Sequence, residues 1–165
     1  MEGGGTSGAT TGDALDATDP VYGGKPRIDV WLANFPGKYV CLSYGTNDVG
    51  SGILNDTASV DAAYANFQLL IQKVIKAGKI PCIPKIPWAK MTDIQSNGPL
   101  LNAKIDLLYS QFPQIIRGPD FFLLFQSHPA LISTDMLHPN PEGYRAYRQA
   151  WADALLKNVY MNATP

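Results

Sequence analysis

Lys38-Tyr-Val-Cys-Leu-Ser-Tyr44, followed at once by Gly45-Thr-Asn-Asp-Val-Gly50, decides the fold. The first part is a compact apolar run and reads as a buried parallel strand. The second part is a turn cluster that ends it abruptly. In open α/β sheets, sites gather where strands end. Asn47 and Asp48 therefore stand at a privileged place, with ordinary Asx-turn chemistry as their plainer use.

Downstream, Val60, Ala63, Phe67, Leu70, Ile71, Val74 and Ile75 recur at helical spacing. Asp56 or Thr57 caps this helix and Gly78 stops it. Lys79-Ile-Pro-Cys-Ile-Pro-Lys-Ile-Pro87 reads as a second strand, with its prolines at the ends or on a sheet edge. Pro99 to Phe112 predicts another amphipathic helix, striped by Leu101, Ile105, Leu108 and Phe112. Asp120-Phe-Phe-Leu-Leu-Phe125 reads as a third strand, with a short buried helix as the alternative. A final helix is expected from Pro141 to about Val159, burying Tyr144, Tyr147, Trp151, Ala154 and Leu155. Strands alternating with helices mean an α/β domain with a parallel sheet. The whole chain, 1–165, reads as one domain.

Upstream, Ile28 to Ala33 forms a short helix or an irregular apolar turn. The Gly-rich stretch Gly3 to Gly12 reads as a linker, and Thr10 and Thr11 cap a short helix after it. A Gly loop feeding a helix can also aim backbone N–H groups at a developing negative charge.

The chemistry concentrates near the C-terminus, in Asp135-Met-Leu-His138-Pro-Asn-Pro-Glu-Gly-Tyr144. Asn140 is a good N-cap, Pro141 suits the first helical position, and Glu142 falls in the first turn. A His on a loop ahead of a helix, with an Asp three residues before it, can serve as an oriented general base. The carboxylate holds one ring nitrogen so that the other takes a proton from a nucleophile. His128, followed by Pro129, reads as structural, and Trp88 as packing.

Composition narrows the partners. The 165 residues are 45% hydrophobic and 16% charged, with a formal net charge of -1. Near-neutral charge without a basic run argues against nucleic acid. No apolar run approaches the roughly 20 residues that span a bilayer. No Cys/His spacing suggests a metal site, and no cofactor is expected. Cys41 and Cys82 sit in strand-like runs and read as buried thiols; a disulfide requires that the two strands be neighbours. Asn55 and Asn162 each begin a glycosylation sequon.

Gly5-Thr-Ser-Gly8, Gly45-Thr-Asn-Asp48 and Asp135-Met-Leu-His138-Pro139 together, in this order, resemble the SGNH (GDSL-type) hydrolase family. The resemblance spans nearly the whole chain. It implies a flavodoxin-like three-layer sandwich around a parallel sheet of about five strands in the order 2-1-3-4-5. By the same resemblance His138 is the general base and Asp135 orients it. The Asn47 amide and the Gly8 backbone N–H are two of the three oxyanion-hole donors. The implied substrates are small-molecule or glycan esters, and an extracellular or periplasmic site is the expected compartment.

One family element is missing from the chain. The Gly-Asp-Ser motif that carries the nucleophile should lie some tens of residues before Gly8. The first strand, its helix and most of the second strand are likewise expected to be missing. Three explanations stand: a fragment, a part supplied by another chain or by self-association through the exposed strand 38–44, or a substitute nucleophile, for which Ser7 is the nearest candidate. The expected function is ester hydrolysis. A catalytically impaired module that binds acylated glycan, or serves as a scaffold, is the alternative.

Overall fold

The computed structural model describes residues 7–161, so Gly5 and Thr6 of the glycine loop and the Asn162 sequon lie outside it. Three short parallel strands form the sheet: β1 (Tyr39–Cys41), β2 (Ile80–Lys85) and β3 (Ile116–Asp120), in the order β1-β2-β3. The helices are α1 (Thr11–Leu15), α2 (Arg27–Asn34), α3 (Thr46–Val49), α4 (Thr57–Lys76), α5 (Thr92–Gln111), α6 (Phe121–Ser127) and α7 (Pro141–Leu155). A π-helical turn, Leu156–Met161, follows α7.

Helices cover both faces of the sheet, because alternate strand residues point to opposite sides. Val40 and Leu42 of the first face pack with Phe67, Leu70 and Ile71 of α4 and with Leu101, Ile105 and Leu108 of α5. On the other face Cys82 packs with Phe121 and Phe125 of α6 and Trp151 of α7, and Tyr39 leans on the same cluster. The Phe121 and Tyr147 rings stack at 3.8 Å between centroids. This is the expected α/β architecture with a parallel sheet, showing three strands among the described residues.

Several sequence expectations are corrected. The strand expected over 38–44 is only three residues long, Tyr39–Cys41, although it does form the sheet edge among the described residues, as expected. The third strand is Ile116–Asp120, not 120–125; the Phe-rich run is α6. Asp120 starts that helix by accepting the Leu123 N–H at 2.9 Å, and the buried pair Phe121 and Phe125 has helical spacing while Leu123 faces out. α5 begins at Thr92, and Pro99 lies inside it. The expected start at Pro99 missed a first segment whose buried residues include polar Asp93 and Asn97. Apolar periodicity is blind to such a segment. Tyr144 is 44% exposed, unlike Trp151 on the same helix. Cys41 is exposed, and only Cys82 is buried.

β2 is the central strand, not an edge, despite Pro81 and Pro84. Proline cannot donate a ladder hydrogen bond, so its placement needs a reason. The Ile80 N–H bonds the Lys38 carbonyl on the β1 side, so the next position, Pro81, faces β3. Pairing with β3 starts only at Cys82, one residue later. Pro84 faces β1, whose pairing ends at Cys41 opposite Cys82, and it lies where the β2–β3 register shifts. Each proline thus occupies a gap in the ladder.

α4 follows expectation. Asp56 is its N-cap, accepting the Ser59 N–H at 3.1 Å, and Gly78 leaves it in the left-handed region at φ +72°.

Candidate active site

Asp135 and His138 lie in a closed loop. The isolated antiparallel bridge Ile132–Pro139 draws its ends together, and the Ser133 N–H donates to the His138 carbonyl at 2.8 Å. The Lys90 N–H, beyond β2, donates to the Met136 carbonyl at 2.9 Å. Met136 adopts φ +68°, a left-handed conformation uncommon for a residue with a side chain. Past the loop, Asn140 caps α7 as the sequence predicts, accepting the Gly143 N–H at 2.8 Å with Pro141 at the first position.

Inside this loop the Asp135 carboxylate is fully employed. Its Oδ1 accepts the Ser133 hydroxyl at 2.6 Å, the Leu137 N–H at 3.0 Å and the His138 N–H at 2.9 Å. Its Oδ2 lies 2.7 Å from His138 Nδ1. An ionised carboxylate only accepts, so Nδ1 carries the ring proton and Nε2 keeps its lone pair. The imidazole is 59% exposed and open to a reacting group.

The Ser133 hydroxyl, then the Leu137 N–H and the His138 ring, hold the Asp135 carboxyl well below the usual carboxylate range. A depressed value stabilises the loop above the ordinary range near about pH 3.9 and is lost only as pH falls through the depressed value. Carboxyl 13C NMR is expected to show Asp135 still ionised at about pH 3 and to move its titration upward in Ser133→Ala. Titration at the ordinary carboxyl value in the native chain would contradict this hydrogen-bond set. No local sequence signal marks Ser133, because its role arises only when the loop closes.

The second constellation follows β1. Gly45 caps α3 at φ +108°, and a Cβ there would lie 2.7 Å from Ile86 Cγ2, so only glycine fits. Asn47 Nδ2 donates to the carbonyl of Ala9, the residue that follows Gly8, at 3.0 Å. Asp48 belongs to a network: both of its oxygens accept the Thr11 N–H at 3.0 Å, and one also accepts the Thr11 hydroxyl. Asn66 of α4 donates to that same hydroxyl at 3.1 Å. Thr10, not Thr11, is the N-cap of α1, through a capping box with Asp13. Beyond α3 the buried Asn97 of α5 holds the Val49 and Ile53 carbonyls and the Asp56 N–H. Asp93 accepts the Gly52 N–H at 2.9 Å.

Both constellations sit at the carboxyl ends of strands: the Gly45 turn after β1, and the His138 loop tied to Lys90 after β2. The Tyr147 hydroxyl of α7 also meets Ser43 Oγ at 3.2 Å. Among the described residues no hydrogen bond joins Ser7, Gly8 or Asn47 to His138. Ser7 and Gly8 are exposed, and Gly8 has φ +75°. His128 bonds the Leu124 carbonyl through Nδ1 at 3.0 Å and closes α6, as a structural residue does.

Gly12-Asp13-Ala14-Leu15 spells the Gly-Asp-Ser-Leu motif with alanine in the serine's place. The structure gives it no such role. Asp13 is committed to the capping box, and Ala14 is completely buried on α1. A groove of about 730 Å³ runs between α2 and α4, lined by Asp29, Leu69 and Lys73 among others, and none of the residues above lines it.

Comparison with known proteins bears on the fold and the family. None of the curated proteins matches it in sequence. Among solved structures, the psychrotrophic esterase EstA from a Pseudoalteromonas species, inhibited by monoethylphosphonate, is similar, with a TM-score of 0.70 at 20% identity. That similarity covers 92% of this chain and 73% of the esterase. A carbohydrate esterase of family 3 from Talaromyces cellulolyticus is also similar, with a TM-score of 0.70 at 19% identity over 92% of this chain and 68% of that one. A serine-to-alanine mutant of the esterase AlinE4 is similar at a TM-score of 0.56 and 19% identity, over 97% of this chain and 74% of that one. At such identities the likeness establishes the fold. The sequence profile of GDSL-like lipases and acylhydrolases matches residues 3–146, a span that holds both the Ala9–Asn47 hydrogen bond and the Asp135–His138 pair, and the chain therefore belongs to the GDSL-like Lipase/Acylhydrolase family.

Proposed function

We propose that this chain carries the base and the oxyanion-stabilising side of a Ser-His-Asp ester hydrolase acting on small-molecule or carbohydrate acyl esters. His138 Nε2 takes the proton from the attacking hydroxyl and returns it to the leaving alcohol; Asp135 fixes the ring and stabilises the imidazolium. Asn47 spends one amide N–H on Ala9 and keeps the other for the carbonyl oxygen, joined by the Gly8 backbone N–H. Such donors act where charge develops, and losing one typically costs about 10²–10³ in turnover. The hydroxyl oxygen adds to the ester carbonyl, the alcohol leaves to give an acyl-enzyme, and water then releases the acid.

The sequence contains no Gly-Asp-Ser. Ser43 and Ser51 are engaged with Tyr147 and Asp56, and Ser7, beside Gly8 in the chain, is the candidate substitute. Even without a serine, a base and an oxyanion hole retain about 10³–10⁴ of rate over water.

The observation that carries the proposal is the 2.7 Å contact from Asp135 Oδ2 to His138 Nδ1, with Oδ1 pinned by three donors. Hydrolysis of p-nitrophenyl acetate tests it. The 165-residue chain is expected to exceed the buffer rate, to fall to that rate in His138→Ala, and to be unaffected in His128→Ala. Activity that survives His138→Ala would overturn the base assignment. A native chain at the buffer rate would instead favour the glycan-binding or scaffold module.

A further inference from the structure

We propose that Cys41 and Cys82 are an oxidation site: a thiol pair that closes reversibly to an intrachain disulfide across the β1–β2 ladder. The two residues are direct partners in the parallel register, Cys41 opposite Cys82. Neighbouring strands run about 4.7–4.9 Å apart. That lies within the roughly 4.4–6.8 Å between Cα atoms that a disulfide spans. The side chains also share a face. Cys82 lies in the cluster beneath α6 and α7, and Tyr39, two residues before Cys41 and so on its side of the strand, packs on that same cluster.

The pair is asymmetric in the way that thiol oxidation requires. Among the described residues β1 is the sheet edge and Cys41 is exposed on it, while Cys82 is completely buried. The neighbouring Cys82 thiol holds the Cys41 thiol below its ordinary value, and the same partnership, with burial, pushes Cys82 up. The thiolate is the nucleophile, so Cys41 is the sulfur that meets an oxidant first. The chain has two cysteines in all, so each has only the other as an intrachain partner.

With a peroxide as oxidant the step balances. The Cys41 thiolate attacks one peroxide oxygen, the O–O bond breaks, and hydroxide leaves, giving a sulfenic acid. The Cys82 sulfur then attacks the Cys41 sulfur, the S–O bond breaks, and the Cys82 proton leaves with that oxygen as water. Two thiols have given up two electrons, and one peroxide has become two waters. A dithiol reductant reverses the bond by exchange. The ladder spacing sits toward the short end of the disulfide range, which favours a labile bond over a permanent one. The staple would lie on the strand that leads into Ser43, Gly45 and Asn47.

The inference does not depend on the hydrolase reading, and its test needs no substrate. The native 165-residue chain is treated with a few equivalents of hydrogen peroxide, then examined by intact mass, non-reducing gel and peptide mapping. The expected product is a monomer that has lost two hydrogens, with the Cys41 and Cys82 peptides joined and both thiols restored by dithiothreitol. Cys82→Ser is expected to leave Cys41 as a sulfenic acid that a dimedone probe captures, and Cys41→Ser to resist oxidation. Failure to oxidise, a disulfide-linked dimer, or Cys41 carried on to sulfinic acid with Cys82 still free would each overturn the proposal.

Discussion

Gly143→Ala is expected to destabilise the chain by about 3 kcal/mol, although alanine is the better helix former by about 1 kcal/mol. Gly143 lies in the first turn of α7. A Cβ there would come within 2.3 Å of the Leu131 carbonyl oxygen and 2.9 Å of Pro139 Cβ. The Leu131 carbonyl is also held from the other side, accepting the Asn140 N–H at 2.8 Å. Backbone at both ends of the Asp135–His138 loop would have to part by close to an ångström. The overpacking cost therefore exceeds the propensity gain. A drop of about 6–12 °C in the thermal midpoint is the expected readout, at about 2–4 °C per kcal/mol for a chain of this size. The same displacement would spread the Ile132–Pro139 bridge and loosen the Asp135–His138 contact. An unchanged or raised midpoint would mean that the helix start has slack this structure does not show.

Asp48→Ala is expected to cost about 2–3 kcal/mol, the scale of losing hydrogen bonds to a charged group. Asp48 gathers the N–H and the hydroxyl of Thr11, a residue that is completely buried. In the variant the Thr11 hydroxyl keeps only the Asn66 amide. α1 would then loosen from the turn after β1, taking Ala9 and Gly8 away from Asn47. Chemical denaturation measures the loss, and hydrogen exchange at residues 9–15 locates it. Asp48→Asn is expected to restore only part, since one amide oxygen replaces two charged acceptors. A variant with native stability and native exchange over α1 would show that the Asp48 network is not what holds the glycine loop.

Elements whose signals are local were legible in the sequence. Asn140 and Pro141 start α7, Asp56 starts α4, and the apolar stripe from Val60 to Val74 is buried as its spacing predicts. What escaped depends on tertiary partners. Asp93, Asn97 and Asn102 are buried because loop carbonyls and N–H groups meet them, which turns the usual amphipathic signal of α5 against the reader. The prolines of β2 read as edge markers until the gaps in the ladder are known. Asp120–Phe125 was ambiguous by periodicity, and the Asp120 cap resolves it. At the candidate site the spacing of Asp135 and His138 already implied their contact. Ser133, Lys90 and the tie from Asn47 to Ala9 could not be foreseen, because closing the chain on itself brings them there.

For the proposed base to work, His138 must present a bare Nε2 while Asp135 holds the proton on Nδ1. Nitrogen-15 NMR of histidine-labelled chain reads this directly, at a pH where the ring is neutral. His138 is expected to show a protonated Nδ1 and an unprotonated Nε2, a preference that Asp135→Asn removes. A neutral His138 ring with its proton on Nε2 would leave no lone pair facing a nucleophile and would contradict the account.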